Sequence, residues 1–411
     1  MTEFFHVIPP DQFVEMLGRF PKLPPEPVGL DKALNRILAE DIIASEDLPE
    51  GARSTVDGFA VRAEDTFGAS DSNPALLRVV ASIPMGMIPD FTLGAGEAAQ
   101  IPTGGFLPCG ADAVVMVEYT NSTGADEIEV TRPVTIRTNV LEQGEDTRSG
   151  EILVAAGKRL RPQEIGFLAA LGVTEIRSCR RPRVAVISSG DEVVPFDRTP
   201  GPGQIRDANG HAISALVSAW GGSPLQFPIV PDNAQEMTVT VKSALAQADV
   251  VTLSGGSSVG TRDLMVDVIS GLPGVEVFAH GIAIRPGKPT LLAGQGDKPI
   301  VGLPGHPVSA LVVAQVFLAP LLLHLQGGQL RKGPPGRRGK AVLGTSVHST
   351  IGLEEYVRVR LEEGAGEDPT AYPVFGKSGM LSTLVKADGI VTIPMNVEGF
   401  SKGESVEVIY I

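Results

Sequence analysis

The residues Val251-Thr-Leu-Ser-Gly-Gly-Ser-Ser-Val-Gly260, continued by Thr261-Arg262-Asp263, carry the densest chemical potential in this chain. An apolar run from Asp249 to Leu253 empties into small residues and then into an apolar-periodic segment. That is the pattern of a strand, an anion-cradling loop and a helix N-terminus. Gly255 and Gly256 allow backbone N–H groups to approach a ligand, while Ser257 and Ser258 supply hydroxyls. Asp263 adds a carboxylate that could hold a cation beside the anion. A tight strand-to-helix turn uses the same residue types, so the loop alone does not decide.

Three further loops share this character. Ser188-Ser189-Gly190-Asp191-Glu192 directly follows a strand-like run, and its acids suit Mg²⁺ or general acid–base work, or equally the first turn of a helix. Gly203-Gln-Ile-Arg-Asp207-Ala-Asn209 comes next. The last pairs Ile284-Arg285-Pro-Gly-Lys288-Pro289 with Gly302-Leu-Pro304-Gly305-His306-Pro307-Val-Ser309. Arg285 and Lys288 are the closely spaced cations beside these loops, and Gly305 to Ser309 opens a helix whose positive end suits an anion. Together the loops describe a pocket for a phosphorylated, multiply anionic ligand with a divalent cation. Elsewhere, Ser54-Thr-Val-Asp57-Gly-Phe-Ala-Val61 and Ile101-Pro-Thr103-Gly-Gly105 are dense in polar and glycine residues, although an Asp-Gly pair reads first as a turn.

The elements that must position these loops alternate. From Arg183 the pattern predicts strand 183–188, helix 212–220, strand 225–230, helix 234–246, strand 249–253, helix 264–269, strands 275–278, 290–293 and 300–303, and helix 308–325. This rhythm specifies a doubly wound sheet with ligand loops at the carboxyl ends of its strands. Upstream, residues 11–44 read as largely helical with Asp31 as an N-cap, and 77–138 as a small β-rich domain built on runs 77–80, 97–101, 113–119 and 128–134. A loop-rich return covers 144–158, and a helix 162–171. Residues 326–340 hold seven glycines and prolines with five basic residues, a linker composition whose charges are read as solvating it. The last seventy residues read as short strands of a small β-barrel or sandwich.

At 411 residues the chain exceeds one core, and 43% hydrophobic with 20% charged residues is ordinary for a globular protein. The net charge of −14 argues against a nucleic-acid partner. The run 307–325 is apolar but carries Ser309, Gln315 and Pro320, so it is read as a core helix and not a membrane span. The opening residues carry no basic-then-apolar pattern and are read as no secretory signal. Cys109 and Cys179 have no metal or redox spacing and are expected to be reduced cytosolic thiols.

Read in order, Ser54–Ala60, Pro102-Thr103-Gly104, Gly110–Val115 with Glu118, Gly144–Asp146, Ser188–Glu192, Gly203–Asn209, Ser254–Gly260 with Asp263, Pro286–Pro289 and Gly302–Ser309 resemble the MoeA family. These are molybdopterin molybdenumtransferases, related to the E domains of the plant molybdenum-insertion enzyme and of gephyrin. The resemblance covers nearly the whole chain. It implies a multidomain α/β protein: a discontinuous linking domain I with the N-terminal helix (1–46 and 146–180), a β-rich domain II (47–145), a doubly wound molybdopterin-binding domain III (181–327) and a C-terminal β-barrel domain IV (333–411). It further implies a cytoplasmic homodimer that inserts molybdate into adenylylated molybdopterin with Mg²⁺ and releases AMP. The molybdopterin adenylyltransferase and molybdoenzyme acceptors are its expected partner proteins.

On that resemblance the catalytic set is Asp57, Thr103, Asp146, Asp191, Glu192 and Asp263, with Glu192, Asp232 and Asp263 holding the metal. Substrate contacts fall to Ser188, Ser189, Gly190, Asp207, Ser254, Gly255, Gly256, Ser257, Ser258, Arg285, Lys288, Pro304, Gly305, His306, Pro307, Ser309 and Ser378. The residue types suit the task. A tetrahedral dianion destined for sulfur ligands needs weak, exchangeable donors, and the chain offers no Cys/His cage. Two alternatives remain at this stage: the upstream adenylyltransferase, and a non-enzymatic molybdopterin-binding scaffold. The chain departs from the family pattern at Val140-Leu141-Glu-Gln143, at Gly210 and at His306, where the resemblance implies an arginine-rich run in many relatives, often a basic residue, and usually an asparagine.

Overall fold

Alternating apolar residues decide how the central strands are buried. In the computed structural model, which describes residues 7–124, 126–255, 259–363 and 368–411 (259–263 by backbone only), Val184 and Val186 face one side of a sheet and Ala185 and Ile187 the other. The sheet has six strands in the order Ser223–Gln226, Arg183–Ser188, Val250–Ser254, Lys298–Leu303, Leu291–Gln295, Val275–His280. The first four are mutually parallel and the last two form an antiparallel edge. Helices Asn209–Ala219 and Pro307–Leu325 cover the first face through Ile213, Leu216, Val308 and Val312, while helices Ala234–Gln247 and Val259–Ser270 cover the second through Met237, Val241 and Ile269. Both faces buried is what a parallel sheet requires.

Pro307–Leu325 is the one helix among the described residues apolar and long enough to cross a membrane, and 78% of that stretch is buried in the protein. It is not uniform. A π-helical turn occupies Ala314–Leu318, next to Pro320, whose missing N–H cannot continue the regular ladder.

The chain divides into two units. One comprises residues 1–39, 157–160 and 177–411; the other comprises 40–156 and 161–176. In the first, the sheet is joined by the predicted C-terminal barrel. Strands Glu354–Glu362, Thr370–Pro373, Arg338–Leu343, Ser405–Tyr410 and Gly389–Ile393 close into a ring, since the last pairs back with the first. Strand Thr370–Pro373 was not legible in the sequence.

The expectation of helix across residues 11–44 is corrected. Helix Pro10–Leu17 stops at Gly18, and Pro24, Pro25 and Pro27 lead into an extended segment, Pro25–Gly29; Asp31 lies in a single 3₁₀ turn, Leu30–Lys32. Prolines remove the amide donors that a continued helix would need. Phe13 and Leu17 of the short helix are buried, and the Phe13 ring meets Phe317 edge-on at 4.8 Å.

The second unit is built on a six-stranded sheet ordered Ala113–Met116, Gly58–Val61, Glu97–Ile101, Ala75–Ser82, Glu127–Val130, Thr120–Ser122. Gly58 is not in a turn. It begins a central strand, where a Cβ would lie 1.9 Å from the Val115 carbonyl oxygen, so only glycine fits.

Candidate active site

Strand register sets the site. Ser188 pairs with Ser254, and Ser254 with Leu303, so three parallel strands end level and bring Ser188, Ser254 and Leu303 side by side. Ser189 N–H donates to Ser254 O, and Gly190 N–H to Val230 O. Gly190 sits at φ +142°, and a Cβ there would meet the Glu192 carboxylate at 2.6 Å. Glu192 therefore folds over a position that only glycine can occupy. A Cβ on Gly255 would approach Ser189 Oγ to 2.5 Å, which explains that glycine in the same way.

These loops enclose a cleft of about 380 Å³, lined by Ser188, Ser189, Glu192, Asp207, Ser254 and Gly255 on one side and Gly305, His306 and Pro307 on the other. Asp207 Oδ1 accepts from Ser188 Oγ and from Gly210 N, both at 2.9 Å, fixing one serine and the start of helix Asn209–Ala219 together. Asn209 Nδ2 donates to Gly305 O at 2.9 Å, joining the two sides. Ser254 is 3% exposed and its Oγ has no hydrogen-bond partner. A buried hydroxyl left unpaired is costly, and here it borders the cleft.

Asp191 and Asp232 meet each other outside the residues that line the cleft. Asp191 Oδ1 accepts from Asp232 N at 3.0 Å, and Asp232 Oδ1 is buried without a partner. Burial first, and then the Asp191 and Glu192 charges, push the Asp232 carboxyl above its ordinary pKa. Among the described residues no three His, Cys, Asp or Glu side chains gather as a metal cage. Gly256, Ser257, Ser258 and the Asp263 side chain lie outside the described residues, so the expected triad of Glu192, Asp232 and Asp263 is described in two of its members.

The remaining expected contacts distribute differently. Arg285 and Ser378 line a neighbouring cleft of about 380 Å³ with Glu355, Arg358 and Lys377. Arg285 Nε is 3.9 Å from Glu355 Oε1. The Ser378 carbonyl accepts from Val308 N–H, so the segment that carries Ser378 also covers the start of the apolar helix, beside the buried Ser309. His306 is the N-cap residue of that helix. Pro304 borders a small recess with Gly255 and Gly305. Lys288 is exposed and lines none of these clefts, so the expected Arg285–Lys288 pair does not converge on one of them.

Arg358 was missed by sequence reasoning. It is 8% exposed, its Nε is unpartnered, and burial draws its guanidinium pKa below the ordinary value. The available signal was its place between Val357 and Val359, which face the barrel core and leave Arg358 on the opposite side of the strand.

In the other unit, Asp57 precedes Gly58, whose register partner is Ile101; two residues beyond, Thr103 returns to Asp57. Thr103 donates to Asp57 Oδ1 through its backbone N–H (2.7 Å) and its hydroxyl (3.0 Å). These two bonds, the backbone one first, hold the Asp57 carboxyl below the usual pKa. Asp146 lines a separate cleft of about 340 Å³ with Asp47, Glu50, Arg53 and Leu141.

An α/β sheet covered on both faces, with small-residue loops and an unpaired hydroxyl at its strand ends, defines a small-molecule, anion-binding domain of the doubly wound class. Comparison with known proteins narrows it. Residues 8–172 match the MoeA N-terminal region (domain I and II), 185–324 the probable molybdopterin binding domain, and 340–411 the MoeA C-terminal region (domain IV). A putative molybdopterin biosynthesis protein of Methanocaldococcus jannaschii is 35% identical over 93% of this chain and 91% of its own. The molybdopterin molybdenumtransferase of a Nostoc strain is 35% identical over 94% of this chain and 88% of its own. A solved molybdopterin biosynthesis moeA protein from a Pyrococcus species is 38% identical, with a TM-score of 0.79, over 98% of this chain and 99% of its own. The chain belongs to the MoeA family.

Proposed function

We propose that this chain is a molybdopterin molybdenumtransferase of molybdenum cofactor biosynthesis, which inserts molybdate into the dithiolene of adenylylated molybdopterin with release of AMP. The observation that carries this reading is the cleft at the level strand ends, where Ser254 Oγ is buried without a partner beside Ser188, Ser189 and the helix opening at Pro307. Hydroxyls and backbone N–H groups hold an oxyanion without trapping it, as transfer to sulfur requires. The relatives' names support the chemistry, and the cleft supplies donors of the right kind.

Asp232 suits Mg²⁺: its buried Oδ1 lacks a partner, and carboxylate oxygens are the donors a hard divalent cation takes. Asp232 would hold the ion with Glu192 and Asp263, and the ion would supply charge neutralisation at the adenylyl phosphates. Asp207 orients the Ser188 hydroxyl, and Glu192, held over Gly190, is a second acid lining the same cleft. Arg285 and Ser378, with Arg358, are assigned to anionic parts of the substrate in the adjoining cleft.

In this reading the enzyme is a cytoplasmic homodimer. Asp57, Thr103 and Asp146 of one subunit complete the site of the other, consistent with polar motifs placed in a different unit of the chain from the central loops. The test is to incubate the purified protein with adenylylated molybdopterin, molybdate and Mg²⁺. AMP release coupled to active cofactor is expected; no AMP release from intact, folded protein overturns the assignment.

A further inference from the structure

The linker charges do more than solvate. Arg331, Lys332 and Arg338 line a cavity of about 380 Å³ together with Arg159, and no Asp or Glu is among its lining residues. The site belongs to the first unit and shares no residue with the clefts described above.

Two of the four cations are already neutralised. Lys332 Nζ pairs with Asp11 at 2.9 Å and with Glu354, and Arg338 pairs with Glu407 at 2.7 Å. The other two have no carboxylate partner among the described residues. Arg331 donates only to the amide oxygen of Gln329, at 3.0 Å. Arg159 Nε is buried and without a hydrogen-bond partner, and its guanidinium lies 5.7 Å from the Trp220 ring centroid. Burial lowers the Arg159 pKa, the mark of a cation that lacks a counter-charge. In a protein of net charge −14, two uncompensated guanidiniums at one cavity are a local exception. The opposite wall is apolar, formed by Ile37, Pro320, Leu323 and the pair Pro334-Pro335.

We propose that this cavity is a second anion site, which binds a phosphate group between Arg159 and Arg331. Guanidiniums match tetrahedral oxyanions with paired, charge-assisted hydrogen bonds. The volume accommodates a small molecule, and the apolar wall suits the organic body of a phosphate ester.

The chain contains a single tryptophan, Trp220, so its fluorescence reports directly on Arg159. The full-length protein is titrated with inorganic phosphate and, separately, with AMP at constant ionic strength, and radiolabelled phosphate is followed by equilibrium dialysis as an independent readout. A saturable response is expected. Losing one charge-assisted contact should weaken it about tenfold to hundredfold in Arg159→Gln and Arg331→Gln. Arg337→Gln, a basic neighbour outside the cavity lining, should bind as the parent does. Because Arg331 is exposed, its variant keeps the test sound should Arg159→Gln disturb folding. AMP bound in the central cleft persists in both arginine variants and sets the baseline. An arginine-dependent affinity at least about tenfold higher for AMP than for phosphate assigns the site to phosphate esters, whereas equal affinities assign it to free phosphate. No saturable response, or unchanged binding in both arginine variants, overturns the proposal.

Discussion

Asp207→Ala should loosen the central cleft at its hinge point. One carboxylate oxygen accepts both the Ser188 hydroxyl and the Gly210 amide at 2.9 Å. Losing the amide partner at a helix start costs about 1 kcal/mol. Losing the acceptor of Ser188 leaves a hydroxyl in a residue only 5% exposed, at a further cost of about 1–2 kcal/mol. Asp207 is itself partly exposed, which offsets some of this, so the net loss is about 2 kcal/mol. Asp207→Asn keeps an acceptor oxygen and should lose less than about 1 kcal/mol. Trp220 is the C-cap residue of the same helix, so its fluorescence in a urea titration reads the element concerned. With a slope of about 2 kcal/mol per molar, Asp207→Ala should unfold at about 1 M lower urea. The Ser188→Ala, Asp207→Ala double mutant should lose less than the sum of the two singles, because they share one bond. A midpoint for Asp207→Ala indistinguishable from the parent, or strictly additive losses, would refute the linkage.

Four further outcomes are expected. The Asp57 carboxyl should titrate below the ordinary aspartate range by NMR. Its contribution to stability is then full above the ordinary carboxylate pKa and lost as pH falls through the lower, folded value. Thr103→Val should raise that midpoint without restoring it, because the backbone N–H bond persists; an unchanged midpoint denies the hydroxyl its role. Glu192→Gln and Asp263→Asn should each slow AMP release about 100-fold or more with the fold intact, and near-parental rates would remove them from the mechanism. Arg285→Ala should weaken substrate binding in a salt-sensitive manner, whereas affinity unchanged across ionic strengths would leave Arg285 as solvated surface. Asp57→Ala and Asp263→Asn subunits, co-expressed and isolated as heterodimers, should recover up to about half the sites of a normal dimer. Heterodimers as inactive as either folded parent would locate both residues in one subunit's site.

The central sheet was legible because its code is local. Apolar runs of strand length alternate with helix-periodic segments, and the strands end level at Ser188, Ser254 and Leu303, the edge where such a sheet presents ligands. What was hidden depends on distant partners. Asp57-Gly58 reads as a turn until Val115 is placed against Gly58. The Arg285–Lys288 pair looks convergent in sequence, but the segment 284–289 directs Arg285 into the barrel-side cleft and leaves Lys288 out of it. Arg358 is invisible as a buried cation without the barrel that surrounds its strand. At Gly210 a Cβ would lie 2.4 Å from Asp207 Oδ2 and 3.0 Å from Ser188 Oγ. The glycine is therefore matched to the Asp207 bond pattern of this chain.

The contact between Phe13 and Phe317 has a consequence for biosynthesis. The inserted unit is complete once residue 176 has emerged, while the helix Pro10–Leu17 must wait for a partner 304 residues downstream. At about 5–20 residues per second, that interval is about 15–60 s of translation. During it Phe13, Leu17 and Phe20, all buried at the end, have no finished core to enter. The order of folding thus departs from the order of synthesis: the inserted unit matures before the helix Pro10–Leu17, made ahead of it, can dock. The segment that carries Phe13, Leu17 and Phe20 is thus a natural client for holding chaperones, and pauses late in translation would prolong its exposure.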